Sequence, residues 1–273
     1  MTAGSLPPPL RPARRSSDHL ASPLPAFPAP DALVSRLLAR DEVTLAFQPQ
    51  WEIATGRVVG VEALARGPDG TTPEALFARA TAAGLGERLS RAVQRKALRT
   101  AASWTGPLAD LRLSLNLLPE DLARPGYERW LLDEIDAAGI APGRITAEIT
   151  ESGLIVDPVA VSARLACLRA AGVRIAVDDF GTGYASLAWL TTLPLDVLKI
   201  DRGLIVDLVG GRRARIVVKA LIALARELDL EVLVEGVEDP AQLALLKDWG
   251  CDVYQGFLGA RAMSEEELAG FLG

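Results

Sequence analysis

The chain has 273 residues, 49% of them hydrophobic, and 29 lysines and arginines against 35 aspartates and glutamates give a net charge of −6. This acidic balance excludes broad binding of DNA or RNA polymers through a basic surface, but it allows a phosphorylated ligand if metal ions supply positive charge. The length is sufficient for one large α/β domain. Because the sequence contains neither a long uninterrupted apolar segment nor a signal-peptide core, we expect a cytoplasmic protein without membrane contact.

Histidine and cysteine usage excludes two common types of site. The only histidine, His19, lies near the N-terminus, so we expect neither a histidine-based triad nor a histidine-ligated zinc site in the folded domain. The two cysteines, Cys167 and Cys251, have no metal-type spacing, and each stands beside apolar residues. We expect both to be buried free thiols in a reducing cytosol.

The first 30 residues differ in composition from the rest of the chain. They are rich in proline, serine and alanine and include the run Pro7-Pro8-Pro9. This composition predicts a disordered segment, interpreted as a linker without activity, with a partner-docking arm as the alternative. A regular pattern begins at Asp31, which we predict to be the N-cap of the first helix. The folded domain is therefore expected to span residues 31–273.

Within that domain, short apolar runs alternate with longer helical stretches. The predicted strands are roughly Leu45 to Glu52, Val58 to Leu64, Leu111 to Leu117, Ile145 to Ile149, Arg174 to Asp178, Val197 to Ile200, Glu231 to Val234 and Asp252 to Gln255. The predicted helices are Asp31 to Arg40, Pro73 to Ala83, Arg88 to Ser103, Pro119 to Ala138, Pro158 to Ala171, Tyr184 to Thr191, Arg212 to Leu228, Pro240 to Trp249 and Ser264 to Phe271. Eight strands alternating with helices indicate an α/β fold of the TIM-like (β/α)8 barrel type.

The first connection departs from a regular (β/α)8 barrel. Only a few residues around Ala54-Thr55-Gly56 separate the first two predicted strands, whereas a parallel crossover needs about a dozen residues or more. The connection is therefore predicted to be a hairpin, and the first strand to run antiparallel to the second. Pairing outward from the turn places Gln48 nearly opposite Ala63, at the same end of the barrel as Glu62.

Polar side chains stand at the carboxyl ends of most predicted strands, where the sites of barrel enzymes lie. Because side chains alternate along a strand, one parity of each strand faces the barrel interior. Asp178 shares its parity with the small Ala176, so it should point inward. The polar residues expected at this mouth are Glu62, Asn116, Glu148, Asp178, Asp179, Lys199, Glu235 and Gln255.

This set of side chains favours a site for hard divalent cations. Oxygen ligands without cysteine or histidine suit Mg²⁺ or Mn²⁺, and Ca²⁺ less well. The adjacent Asp178 and Asp179 suit two ions, with one carboxylate bridging, and paired metals about 3.5 to 4 Å apart recur in phosphodiester cleavage. Lys199 should remain protonated among carboxylates and would orient or stabilise the attacking hydroxide.

Each of these residues also has a simpler interpretation. A single glutamate at a strand end is usually a solvated or capping group, a lysine there is usually a salt-bridge partner, and an Asp-Asp pair before a helix often caps it. Gly181 and Gly183 are either turn residues or parts of a mobile loop that closes over the site. The convergence of several strand ends on one mouth favours the functional interpretation.

The motifs that carry these residues resemble those of the EAL family, whose members are cyclic di-GMP phosphodiesterases. The resemblance covers about residues 31 to 273. A single motif is weak, but the motifs stand in the family's order. They are Gln48-Pro49, Glu62-Ala63-Leu64 with Arg66, Asn116, Glu148-Ile149-Thr150-Glu151, Asp178-Asp179-Phe180-Gly181-Thr182-Gly183-Tyr184, Lys199-Ile200-Asp201, Glu235-Gly236-Val237-Glu238 and Gln255-Gly256-Phe257.

The resemblance implies hydrolysis of cyclic di-GMP to linear pGpG with two Mg²⁺ or Mn²⁺ ions, and a homodimer. The residues that match ligands of one metal are Glu62, Asn116, Glu148 and Asp178, where Asp178 also bridges to a second ion held by Asp179. Lys199 matches the lysine that contacts the attacking water, and it is expected to be catalytic together with Glu62 and Glu235. Glu235 and Gln255 match residues that hold metal-bound water or the second metal.

The same resemblance implies further roles around the metals. Gln48 and Arg66 match substrate-contacting positions, and Asp201 and Gln255 are also expected to bind substrate. Glu151 matches the glutamate that steadies the loop after Asp179.

The sequence departs from the family pattern at four positions, none of which is an expected metal ligand. They are Gly67 for a frequent tryptophan, Leu118 and Ala185 for frequent serines, and Ala262 for a usual proline. The departures bear on guanine packing, loop rigidity and turnover rate. Two other functions are alternatives. One is a cyclic di-GMP receptor or protein-binding regulator without catalysis, and the other is a barrel enzyme acting on another phosphodiester or a phosphomonoester.

Overall fold

The structure, a computed structural model, describes Met1 and residues 31–150, 157–181 and 187–273. The predicted disordered segment, including His19, lies outside the described residues. Within the described part of the chain, no helix combines the length and apolar character needed to cross a membrane.

Eight strands close into a barrel in which each strand pairs with the next and the last pairs with the first. They are β1 (Thr44–Glu52), β2 (Arg57–Arg66), β3 (Arg112–Leu117), β4 (Ile145–Thr150), β5 (Arg174–Phe180), β6 (Val197–Ile200), β7 (Glu231–Val234) and β8 (Val253–Gln255). The pairs from β2 to β8 are parallel, whereas β1 is antiparallel to both neighbours. The predicted TIM-like barrel with an antiparallel first strand is confirmed.

Helices surround the barrel in the described part of the chain. They are α1 (Ala32–Arg40), α2 (Pro73–Ala82), α3 (Gly86–Ala102), α4 (Pro119–Ala123), α5 (Tyr127–Ala138), α6 (Pro158–Ala170), α7 (Leu187–Thr192), α8 (Arg212–Glu227), α9 (Pro240–Asp248) and α10 (Glu265–Leu272). Short 3-10 helices cover Pro68–Gly70, Gly106–Leu108, Pro142–Arg144 and Arg202–Leu204. The start predicted for the sixth helix, at Tyr184, lies outside the described residues.

The prediction of one continuous helix from Pro119 to Ala138 is wrong, because the structure contains two helices there. α4 ends before Arg124, whose backbone is extended because a proline follows it. Gly126 then adopts a φ of 80°, a left-handed conformation that separates α5 from α4.

Two other expectations concern single residues. The side chain of Asp31 accepts a hydrogen bond from the Val34 amide at 3.0 Å, which confirms the predicted N-cap. Cys251 is buried and free, as expected, but Cys167 is exposed on α6, so the expectation of burial was wrong there. Cys167 lies between Leu165 and Leu168, and only these two neighbours face the barrel at this point of the helix.

The hairpin register brings the end of β1 to the mouth of the barrel. Gln48 lies opposite Glu62 rather than Ala63, one residue away from the predicted pairing. The difference begins at the turn, because Glu52 pairs with Arg57 and the turn is therefore centred one residue earlier than predicted. A bulge then restores part of the register, because Trp51 pairs with Val58 but Gln50 pairs with Gly60, which leaves one residue of β2 unpaired. The conclusion that Gln48 and Glu62 share one end of the barrel holds.

The barrel interior is built in layers. A small apolar layer fills its centre and consists of Ala176, Val197, Leu233 and Val253, with Val59 packed against it. The next inward-facing residues along the same strands are Asp178, Lys199, Glu235 and Gln255, as the two-residue period requires. The larger hydrophobic core lies between the outer face of the strands and the helices. The polar cluster therefore sits on an apolar plug that separates it from the opposite end of the barrel.

The opposite end of the barrel is closed by an ion-pair group. Glu231 accepts hydrogen bonds from Arg112 at 3.1 Å and from Arg174 at 3.3 Å. Partial burial acts to raise the pKa of Glu231, but the two guanidinium groups outweigh it and lower the pKa below its ordinary value. These ion pairs join β3, β5 and β7 at their amino ends, so we interpret their role as structural.

We predict that Glu231→Gln lowers the free energy of unfolding by about 2 kcal/mol at pH 7, because two partly buried guanidinium groups lose their counter-charge. Since the folded pKa is lowered, the wild-type advantage is present above the pKa of unfolded glutamate and is lost as pH falls through the folded pKa. Urea denaturation at neutral and acidic pH measures the difference. Glu227→Gln, at an exposed position on α8, is the matched control, and equal effects of the two substitutions would contradict the prediction.

Candidate active site

A lysine surrounded by carboxylates occupies the carboxyl end of the barrel. Lys199 on β6 is fully buried, and its Nζ lies 2.7 Å from an oxygen of Glu148, 2.7 Å from Glu235 and 3.0 Å from Asp178. Glu62 on β2 approaches the same nitrogen to 4.0 Å. The structure thus brings together residues that are far apart in the sequence, such as Glu62 and Lys199.

The cluster holds more carboxylates than one ammonium can neutralise. Burial raises the pKa of Glu148 to about 8, although Lys199 acts to lower it. Burial and the neighbouring Asp178 also raise the pKa of Glu235 well above its usual range. For Lys199, burial acts to lower the pKa, but the surrounding carboxylates outweigh it and hold the pKa well above its ordinary value. Lys199 therefore remains protonated and cannot serve as a general base.

Asp178 and Asp179 both reach the mouth because the strand is irregular at this point. β5 contains a register shift between Val177 and Phe180, so two aspartates stand where the regular ladder would have one residue. Asp179 has a φ of 57°, in the left-handed region that aspartate tolerates better than most residues. Its amide donates to Asp178 Oδ1 at 2.9 Å. The bulge turns what would be opposite-facing side chains into an adjacent pair.

The environment of Asp179 also disfavours its charged form. Burial, followed by the nearby Asp178 and Asp201 carboxylates, raises its pKa to about 6. Oxygen atoms of Asp178, Asp179 and Glu235 lie within 4.8 Å of one another, which is close enough to share a cation. An all-oxygen, strongly anionic donor set fits a hard divalent ion such as Mg²⁺, Mn²⁺ or Ca²⁺.

Glu62 and Asn116, two further expected metal ligands, are held together at the same mouth. Asn116 Nδ2 donates to Glu62 Oε1 at 2.8 Å, and Gln255 Nε2 donates to Glu62 Oε2 at 2.7 Å. Gln255 Nε2 also lies 3.2 Å from Gln48 Oε1. Gln50, which sequence reasoning missed, donates to Gln255 Oε1 at 3.2 Å. Gln50 could have been found from the sequence, because it has the same strand parity as Gln48 and so faces the same side of β1.

A second set of residues that sequence reasoning missed lies behind Asn116. Gln94 on α3 donates to the backbone oxygen of Asn116 at 3.1 Å and accepts from the Tyr127 hydroxyl at 2.9 Å. The fully buried Asp121 accepts from the Leu118 amide at 3.2 Å. These contacts fix the backbone at the end of β3. The sequence feature that could have revealed this set is a glutamine on the buried, mostly apolar face of α3.

A cavity of about 530 Å³ opens above the cluster. Its polar side includes Glu62, Asn116, Asp178, Asp179 and Glu235. Its other walls are largely apolar and include Pro73, Phe77, Val93, Leu118 and Phe257. This volume and mixture of surfaces are typical of small-ligand sites.

Two further expected site residues, Arg66 and Asp201, hydrogen-bond to backbone groups rather than to the carboxylates around Lys199. Arg66 is not among the cavity-lining side chains in the described part of the chain, and its Nη1 donates to the adjacent Ala65 oxygen at 3.1 Å. Asp201 caps the 3-10 helix Arg202–Leu204 by accepting from the Gly203 amide at 2.7 Å. Glu151, together with Thr182 and Gly183 of the expected mobile loop, lies outside the described residues.

Comparison with known families identifies the family to which this barrel and its carboxylate cluster belong. A family model described as the EAL domain matches residues 31–262. The chain belongs to the EAL domain family. The match covers every strand and the whole carboxylate cluster, so the resemblance seen in the EAL motifs is confirmed.

Individual EAL proteins are similar over most of this chain. The cyclic di-GMP phosphodiesterase NbdA of Pseudomonas aeruginosa is 36% identical over 240 residues, which cover 86% of this chain and 31% of NbdA. The structure of the PaMucR phosphodiesterase in complex with c-di-GMP superposes with a TM-score of 0.78 and 36% identity, covering 86% of this chain and 97% of that one.

A second similar structure contains a metal as well as the nucleotide. The calcium and cyclic di-GMP complex of BlrP1 from Klebsiella pneumoniae has a TM-score of 0.75 and 33% identity, covering 86% of this chain and 58% of that one. The chain spans between 29% and 40% of the length of the curated relatives reported as similar to it.

We predict that divalent metal binding releases protons at neutral pH. The pKa of Asp179 is about 6 and that of Glu148 about 8, so both carboxyls are partly protonated before a cation binds. A bound cation favours the ionised form, so affinity should rise with pH between about 6 and 8 and then level off. Calorimetric Mn²⁺ titrations at pH 7 in two buffers of different ionisation enthalpy measure the released protons. Equal heats in both buffers would contradict the prediction.

Proposed function

We propose that this domain hydrolyses cyclic di-GMP to linear pGpG with the help of two divalent metal ions, Mg²⁺ or Mn²⁺. The observation that carries the proposal is the carboxylate cluster around Lys199, which lies beneath a cavity in a member of the EAL family. Relatives named cyclic di-GMP phosphodiesterase and a similar structure holding c-di-GMP support the choice of substrate. Because those relatives are longer proteins, the proposal concerns this domain.

The donor groups support two neighbouring metal positions. Asp178 and Asp179 would share the ions with Glu235 on one side, and the other ligands of the first ion would be Glu62, Asn116 and Glu148. Two bound divalent ions would neutralise the scissile phosphate and increase the acidity of the attacking water. In the reaction, water adds across one phosphodiester bond, so one phosphorus–oxygen bond forms and another breaks to open the ring.

Lys199 is proposed to be catalytic through its charge and position. Glu148 and Glu235 hold its Nζ at 2.7 Å each, and the nitrogen keeps its proton because the carboxylates raise its pKa. A fixed, protonated donor can orient the attacking oxygen and stabilise negative charge that develops beside it. Glu62 and Glu235, which flank this ammonium, are the proposed catalytic carboxylates.

The cavity walls support binding of a cyclic dinucleotide. Gln48 and Gln255 present amide groups beside the cluster, and the apolar wall that includes Phe77 and Phe257 can accommodate the flat faces of the bases. Arg66 and Asp201 are the other proposed substrate-binding residues. Glu151 is proposed to steady the loop after Asp179.

We also propose that the domain forms a homodimer. The segment before α8 exposes Val206 and Val209, and the first turns of α8 expose Ile216 and Val217. Large apolar side chains exposed close together in the sequence are candidates for an interaction surface. Light scattering should give twice the 29.0 kDa chain mass, and Ile216→Glu should reduce it towards the monomer value. A wild-type monomer at high concentration would refute the dimer.

The test of the activity is chromatography of the products formed from cyclic di-GMP with Mg²⁺, with Mn²⁺ or with a chelator. The proposal predicts pGpG only in the tubes with metal. Intact nucleotide in every tube, with binding shown separately, would instead support a receptor without catalysis. Cleavage of pGpG or of aryl phosphates in preference to the cyclic substrate would indicate a different phosphoesterase.

We predict that Lys199→Met lowers kcat by about 100-fold or more, the scale of losing one electrostatic stabiliser. Lys219→Met, which removes an exposed lysine from α8, is the matched control and should leave kcat unchanged. Circular dichroism and metal titration of both variants separate catalysis from folding. A Lys199→Met protein that is unfolded even with metal present would favour a purely structural role for the lysine.

A further inference from the structure

The cavity is strongly anionic, and a single basic side chain is found among its described lining residues. Its lining includes the carboxylates of Glu62, Glu74, Asp178, Asp179, Glu235 and Glu238. Among the described lining residues, the only lysine or arginine is Arg202. The two internal stretches outside the description, 151–156 and 182–186, contain no lysine or arginine in their sequence. An anionic ligand that enters this cavity therefore meets few groups that can attract it.

Arg202 is available for such a ligand, whereas the other basic groups nearby are engaged. Its side chain is exposed, and in the described part of the chain it makes no side-chain hydrogen bond or ion pair. Lys199, in contrast, is buried and saturated by three carboxylates. Arg66 donates to a carbonyl of its own strand and does not line the cavity among the described residues.

The backbone around Arg202 is fixed against the catalytic strand ends. Asp201 accepts from the Gly203 amide at 2.7 Å, which sets the start of the 3-10 helix that Arg202 opens. Gly236, which follows Glu235, has a φ of 68°, and a Cβ atom placed on it would lie 2.3 Å from Arg202 Cβ. The absence of a side chain at position 236 thus lets the stem of Arg202 pack against the backbone of Gly236, the residue that follows Glu235.

We propose that Arg202 binds a phosphate group of the cyclic dinucleotide and so sets the affinity of the site for it. The inference rests on the proposed function and deepens it. A cyclic dinucleotide carries two phosphodiester charges, and metal ions on the carboxylate cluster serve the phosphate that is cleaved. The second phosphate needs its own cation in an acidic cavity, and a guanidinium can hold it through two parallel hydrogen bonds.

Steady-state kinetics of Arg202→Gln test the proposal. We expect KM for cyclic di-GMP to rise about tenfold, the scale of one charge-assisted contact, while kcat changes by less than about threefold. Arg202→Lys should recover part of the loss because it keeps the charge. The matched control is Arg99→Gln, which removes an exposed arginine from α3 and should leave both constants unchanged.

Equilibrium binding separates a phosphate contact from a structural role. Cyclic di-GMP binding is measured with Ca²⁺, the ion present with this nucleotide in the similar BlrP1 structure. The affinity of the wild type should fall more steeply with added salt than that of Arg202→Gln. Salt screens the ion pair between Arg202 and the phosphate in the wild type, and the variant lacks this ion pair. Mn²⁺ affinity without nucleotide should be the same in both proteins, since Arg202 is not a metal ligand.

The outcomes distinguish this inference from the proposed function. If the wild type cleaves cyclic di-GMP and Arg202→Gln matches it in KM and binding, the inference fails and the function stands. If Arg202→Gln loses Mn²⁺ affinity as much as nucleotide affinity, Arg202 is structural and the inference also fails. If the wild type neither binds nor cleaves cyclic di-GMP, both fall together.

Discussion

The mouth of the barrel depends on the placement of one protonated lysine among buried carboxylates. Lys199 is fully buried, and ion pairs of 2.7 to 3.0 Å join it to strands β4, β5 and the end of β7. Removing charges from water is costly, and such a cluster is stable only if its members neutralise one another. A single ammonium cannot neutralise four carboxylates. The excess negative charge favours the binding of divalent cations.

The remaining features of the fold serve that cluster. An apolar layer beneath it, which includes Ala176 and Leu233, separates it from the ion pairs at the opposite end of the barrel. The bulge in β5 presents Asp178 and Asp179 side by side, at the cost of a left-handed aspartate. Local strain and charge excess therefore occur together at the site, while the stability of the domain comes from the apolar shell between strands and helices.

Sequence reasoning predicted the barrel and most of the cluster because both follow from short-range rules. Strand parity and strand ends placed Asp178, Lys199 and Glu235 at one mouth, and the short first connection required an antiparallel hairpin. The bulge in β5, the contact of Gln94 with the Asn116 backbone and the position of Arg202 could not be predicted. They depend on how a helix or loop packs against a strand distant in sequence, which no local pattern encodes.

Equilibrium dialysis of the wild type and of Asp179→Asn measures the number of Mn²⁺ ions bound per chain. The excess of buried carboxylates around Lys199 predicts two ions per wild-type chain and a loss of one of them in the variant. A wild type that binds no ion above background, or a variant with the same stoichiometry and affinity as the wild type, would contradict the account.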